Sequence, residues 1–151
     1  MLYGIINKCR LPIYKFITNI QIVENKIELV YPELSYKLVG ISYDVFNELG
    51  PGHKEVYYQN ALAKELQKLN IPFKEQVYFP ITFKGAQVGK YFFDFLVDDK
   101  IILELKAGDR FSRKNIEQTY SYLKISNLKL GILINFTGGE VKFKRILNIS
   151  N

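Results

Sequence analysis

The stretch Asp94-Phe-Leu-Val-Asp-Asp-Lys-Ile-Ile-Leu-Glu104-Leu-Lys106 reads as two β-strands joined by a short polar turn. Ile101-Ile102-Leu103 is apolar on both faces, as expected of a central strand covered on both sides. Glu104 and Lys106 are two residues apart, so on a strand their side chains leave the same face. The register of the hairpin then decides where Asp94 goes. A three-residue turn at 98–100 pairs Val97 with Ile101 and sets Asp94 opposite Glu104. A two-residue turn at 98–99 pairs Asp94 with Leu103 and sends its carboxylate to the other face. In the first register two carboxylates and an ammonium share one patch.

Two facing acids repel unless a cation lies between them, and a divalent ion suits that position. Such an ion can polarise a phosphoryl oxygen and acidify a bound water, and a neighbouring lysine can steady developing negative charge. This is equipment for phosphodiester hydrolysis. A bare Asp…Glu-x-Lys pattern, however, fits an ordinary cross-strand ion pair at a sheet margin at least as well. The surroundings have to separate the two readings.

Working outward, the helical and strand patterns alternate. Leu38, Ile41, Val45 and Leu49 repeat at three- and four-residue spacing and predict a helix over about 33–49, stopped by Gly50-Pro51-Gly52. Tyr58, Leu62, Leu66 and Leu69 predict a second helix over about 53–69. Val77, Phe79, Ile81 and Phe83 alternate as a half-buried strand ending at Lys84-Gly85, and strands follow at about 87–97 and 100–107. A helix over about 113–126 places Ile116, Tyr120 and Leu123 on one side. The run 128–136 is again a two-sided strand, parallel to 101–107 by a crossover, and a last strand covers about 140–147. The fold class is α/β, in the α+β mixed-sheet sense, with helices flanking a central mixed sheet. Residues 32–151 form this domain. Residues 1–31 read as an extension, with a hairpin around Glu24-Asn25-Lys26. They fit an extra edge element or an arm that reaches a partner chain in a homodimer.

Composition narrows the chemistry. The chain of 151 residues is long enough for one core, and 48% of it is apolar. Its formal charge of +6 suits a polyanion such as nucleic acid, although charge alone is weak evidence. Cys9 and His53 are the only cysteine and histidine, which excludes an intramolecular disulfide and a thiolate or histidine-rich zinc centre. A metal here would rest on carboxylates, which favours Mg2+ or Mn2+. No apolar run approaches membrane-spanning length and no secretory leader layout is present, so a soluble cytoplasmic protein with no membrane partner is expected.

The segment Gly52-His-Lys-Glu55-Val-Tyr-Tyr58 fits Gly-x-x-Glu-x-x-Tyr. With Asn47-Glu-Leu-Gly-Pro-Gly52, Asp94, Glu104-Leu-Lys-Ala107, Gln118 to Tyr122 and Gly131-Ile-Leu-Ile-Asn-Phe136, it resembles the GxxExxY family, a branch of the PD-(D/E)XK nuclease superfamily, from about Leu38 to Ile146. The resemblance implies a restriction-endonuclease-like core, α-β-β-β-α-β, and a metal-dependent nuclease hydrolysing phosphodiester bonds of DNA or RNA. The alternative is a weakly active or inactive nucleic-acid-binding or assembly module with the same fold. It further implies that Asp94 and Glu104 bind the metal with the Leu105 carbonyl, that Lys106 is the catalytic lysine, and that Glu55 adds a carboxylate. Tyr58 would support Glu55 or substrate, and equally fits the core. Gln118 and Tyr122 resemble a Gln-x-x-x-Tyr element that orients substrate phosphate, and equally fit the edge of an amphipathic helix. Arg110, Arg113 and Lys114, with Asp109, follow the active strand and would meet phosphate, or simply form a solvated loop. His53 reads as a surface residue. The proline that names the superfamily's first motif is absent, since Phe93 precedes Asp94.

Overall fold

The computed structural model describes residues 21–23 and 26–148. Two short strands, β1 (Gln21–Val23) and β2 (Lys26–Glu28), pair antiparallel, with Val23 opposite Lys26. Residues 1–20 and the middle of the expected Glu24-Asn25-Lys26 turn lie outside the described residues. Helix α1 (Pro32–Leu49) then begins with proline at its first position, where the missing N–H costs nothing. It ends at Gly50, whose φ of 79° suits glycine but whose ψ of −178° departs from the left-handed cap expected there, and whose N–H donates to the Phe46 carbonyl.

Helix α2 (Glu55–Lys68) starts two residues later than the periodicity suggests, and Leu69 lies past its end, 40% exposed. Leu66 O accepts from Ile71 N at 3.0 Å, and Asn70 turns the chain with φ 53°.

Five strands form the main sheet: β3 (Phe73–Phe83), β4 (Ala86–Val97), β5 (Ile101–Ala107), β6 (Leu130–Phe136) and β7 (Val141–Leu147), in that spatial order. Only β5 and β6 are parallel. Helix α3 (Arg113–Ser126) connects them. Ser112 caps it: its Oγ accepts from Asn115 N at 3.1 Å, while the Asn115 side chain accepts from Ser112 N at 3.2 Å.

The two cores follow from strand alternation. Leu103 and Leu105 of β5, with Ile132 and Ile134 of β6, face α1 and α2 and meet Leu38, Ile41, Val45, Leu62 and Leu66. Ile102 and Leu133 face α3 and meet Tyr122 and Leu123. Burying each such side chain stabilises by roughly 1.5–3 kcal/mol. The expected face of α3 needs correction, because Tyr120 is 37% exposed and the inward residues are Thr119, Tyr122 and Leu123. Gly131 explains how close α3 comes: a Cβ there would sit 2.7 Å from Thr119 Cγ2. The mixed five-stranded sheet flanked by helices is the restriction-endonuclease-like arrangement.

Candidate active site

The β4–β5 turn has the longer form. Val97 pairs with Ile101, Leu96 with Ile102 and Phe95 with Leu103, while Lys100 N donates to Val97 O at 3.0 Å. Asp98 and Asp99 supply the left-handed conformations this turn needs, with φ 52° and 51°. Asp94 therefore arrives beside Glu104. Its N–H points at Glu104 Oε1 at 3.4 Å, and its Oδ2 accepts from Leu105 N at 2.8 Å.

Sheet regularity breaks at this point. Glu75 pairs with Phe95 and Val77 with Phe93, and between them Gln76 adopts φ 47°. A non-glycine residue there costs roughly 1–2 kcal/mol, so the strand is locally strained beside Asp94. The kink changes which core the neighbours enter. Phe95 packs beneath α1 and α2, whereas Phe93, two residues away, packs with Tyr122 of α3. Gln76 Nε2 donates to Asp94 Oδ1 at 3.4 Å.

Lys106 is the hub. Its Nζ lies 3.7 Å from Glu55 Oε1 and 3.8 Å from Glu104 Oε2. Glu55 reaches it because α2 begins beside the end of β5, where the Ala107 backbone also bonds the Glu55 carboxylate. Burial and then the nearby Asp94 carboxylate push the Glu104 carboxyl up to about 8, against the opposing pull of Lys106. Burial also raises Glu55, which Lys106 partly offsets.

Other expected residues sit elsewhere. Tyr58 is 1% exposed, with its ring stacked on Phe136 at 4.1 Å and its hydroxyl donating to Gly50 O at 2.8 Å. It holds the loop before Glu55 and offers substrate no surface. Tyr122 is also 1% exposed, wedged against Tyr91 and Phe93 with centroids at 4.4 and 4.5 Å. Burial raises its hydroxyl to about 12, partly offset by the Gln118 amide that bonds it, while the charges of Glu104 and Asp94 add to the rise. Tyr122 is thus a wall beneath the carboxylates, and direct contact with substrate is corrected for it as for Tyr58. Gln118 is half-buried and occupied by Tyr122. Arg110, Arg113 and Lys114 are exposed beyond β5, with Arg113 paired to Glu117 at 2.7 Å. His53 lies at the surface with Nε2 2.9 Å from Leu49 O.

Two residues escaped the sequence reading. Gln76 has no local signal, because its role depends on the kink. Asn135 has one: it is a polar residue closing an apolar strand. It is the register partner of Lys106 on β6, is fully buried, and neither its Oδ1 nor its Nδ2 has a hydrogen-bond partner. Among the described residues, no helix is long and apolar enough to cross a membrane.

The model of the PD-(D/E)XK nuclease superfamily matches residues 32–146. Among solved structures, the fold is similar to that of SSO0001, at 19% identity and a TM-score of 0.51, over 64% of this chain and 52% of that one. This chain thus aligns with about half of that protein's length. An alkaline exonuclease from Laribacter hongkongensis is more distant, at 11% identity and a TM-score of 0.46, over 80% of this chain and 72% of that one. No curated protein matches the chain. The chain belongs to the PD-(D/E)XK nuclease superfamily.

Proposed function

We propose that this protein is a Mg2+- or Mn2+-dependent nuclease of the GxxExxY branch, hydrolysing phosphodiester bonds of DNA or RNA at Glu55, Asp94, Glu104 and Lys106. The reading rests on one observation: Glu55 and Glu104, from a helix and a strand, converge on the Lys106 ammonium beside Asp94. The two carboxylates across the β4–β5 hairpin are hard oxygen donors, and burial, followed by the neighbouring Asp94, raises Glu104 even with Lys106 beside it. Among the described residues no group of three or more acidic, imidazole or thiolate side chains is placed to hold a metal ion. The ion would rest on the Asp94 and Glu104 carboxylates and the Leu105 carbonyl, with Glu55 alongside and water in the remaining positions.

When bound, such an ion polarises a phosphoryl oxygen and makes a water more acidic. The protein's own groups do the rest. Glu104 is held in place by the Asp94 amide, and Asp94 by the Leu105 amide and Gln76, so the donors are fixed before substrate arrives. Lys106 presents its ammonium where negative charge builds on the phosphoryl group. Exposed Arg110 and Lys114 supply cations for flanking phosphates.

The test compares wild type with Lys106→Ala and Asp94→Asn on single- and double-stranded DNA and RNA, with either ion added. Wild type should cut at least one substrate, and both variants should lose that activity by a hundredfold or more, roughly the loss expected of an electrostatic group. Absence of cleavage by the wild type, or equal cleavage by the variants, overturns the reading.

A further inference from the structure

We propose that the outer face of the β3–β4 hairpin is a stacking platform for unpaired bases, so that nucleic acid reaches the site as single strand. The inference rests on the nuclease reading above and adds the class of substrate. Strands β3 and β4 have 11 and 12 residues, against seven in β5. Their pairing continues from Val77–Phe93 to Phe83–Ala86, past the final β4–β5 pair, Phe95–Leu103. The hairpin thus projects beyond the end of the sheet that carries the site.

One face of this projection is covered: Val77, Phe79, Tyr91 and Phe93 pack toward α3. The other is bare and aromatic. Tyr78 and Phe92 are register partners, each 47% exposed, with ring centroids 5.5 Å apart. Lys90 Nζ lies 5.7 Å from the centre of Phe92, while at the hairpin tip Lys84 Nζ lies 5.4 Å from that of Phe83, which alternates with Val77 and Phe79 and so leaves the opposite face. Between Val77 and Phe92 the sequence has these two lysines and no acid.

Exposed rings bearing ammonium groups, on acid-free backbone, complement a base together with its phosphate. A duplex already stacks the faces of its bases on one another, so only unpaired bases can use such rings. The platform also adjoins the chemistry. Phe92 is two residues from Asp94 and Tyr78 two from Gln76, the residue that bonds Asp94, which is about 7 Å along a strand. Glu104 and Lys106 share the α3-side face with Ile102, so a strand resting on the rings reaches the carboxylates around the β3 edge of the sheet.

The test is fluorescence anisotropy of a labelled oligothymidylate and of a blunt duplex of equal length, in EDTA, so that no cleavage intervenes. Wild type should bind the single strand more tightly. The double variant Tyr78→Ala/Phe92→Ala should lose roughly tenfold or more on the single strand and under about twofold on the duplex. Tyr78→Phe/Phe92→Tyr, which keeps both rings, should restore binding and so exclude misfolding as the cause. Equal wild-type affinity for the two ligands, or unchanged binding by the alanine variant, overturns the platform. So does a wild-type dimer that the alanine variant turns into monomer, since the face would then join copies of the chain. Single-strand binding by a protein that cuts nothing would refute the nuclease reading and leave the platform standing.

Discussion

Asp94 and Glu104 hold each other's strands: the Asp94 amide points at a Glu104 oxygen at 3.4 Å, while Asp94 Oδ2 takes the amide of Leu105, the next residue after Glu104, at 2.8 Å. Because each carboxylate is tied to the opposite strand, they cannot move apart to relieve their repulsion. Burial, and after it this repulsion, raises the proton affinity of Glu104.

That relationship has a pH signature. Between the ordinary glutamate value of 4.5 and about 8, the folded protein holds a proton on Glu104 that the unfolded chain has released. The folded state binds more protons across this window, so stability in EDTA should fall as pH rises through it. Glu55 is shifted in the same direction and adds to the slope. Thermal melts at pH 5 and pH 8 measure the slope, and Glu104→Gln should flatten it. On the proposed metal reading, added Mg2+ should raise Tm more at pH 8, because the ion competes with that proton.

Asn135 should trade stability for function. Its buried amide has no partner, and an unsatisfied buried polar group costs about 1–3 kcal/mol. Asn135→Leu keeps the branched shape at slightly larger volume and removes the amide, so stability to urea should increase by roughly 1 kcal/mol. Cleavage should drop tenfold or more if the Asn135 amide, the register neighbour of Lys106, acts on substrate, and should be unchanged if it does not. A lower urea midpoint would show instead that the amide is structurally satisfied.

Gly131 sets the approach of α3 to the sheet. Gly131→Ala pushes a methyl to within 2.7 Å of Thr119 Cγ2 and should destabilise by about 1–3 kcal/mol. Thr119→Ser removes that methyl, so the double variant should recover most of the loss. Additive effects in urea melts would place the clash elsewhere.

Tyr58 tests whether the tyrosine of the Gly-x-x-Glu-x-x-Tyr segment is structural. Tyr58→Phe keeps the stacking on Phe136 and loses the bond to Gly50 O, at about 1–2 kcal/mol. Cleavage by this variant should stay within a few-fold of wild type. A hundredfold loss at unchanged Tm would return Tyr58 to the substrate.

Much of this protein is local and could be read from residue order. Strand alternation put Glu104 and Lys106 on one face, the two-sided apolar runs at 101–103 and 130–136 named the central strands, and Gly50 ended α1 as its backbone freedom requires. The turn at 98–100 lay at the limit of what sequence can say, since two registers were open and the pairing of Val97 with Ile101 realises the longer one. Tertiary structure alone decided the remainder. It turned Tyr122 rather than Tyr120 inward, because α3 rotates to seat Thr119 on Gly131. It split Phe93 from Phe95 at the Gln76 kink, brought Glu55 from another element to Lys106, and sealed Asn135 next to that lysine. The physical reason is range. Periodicity and turn chemistry act over a few residues, whereas the meeting of Glu55, Asp94, Glu104, Lys106 and Asn135 depends on how four separate elements pack.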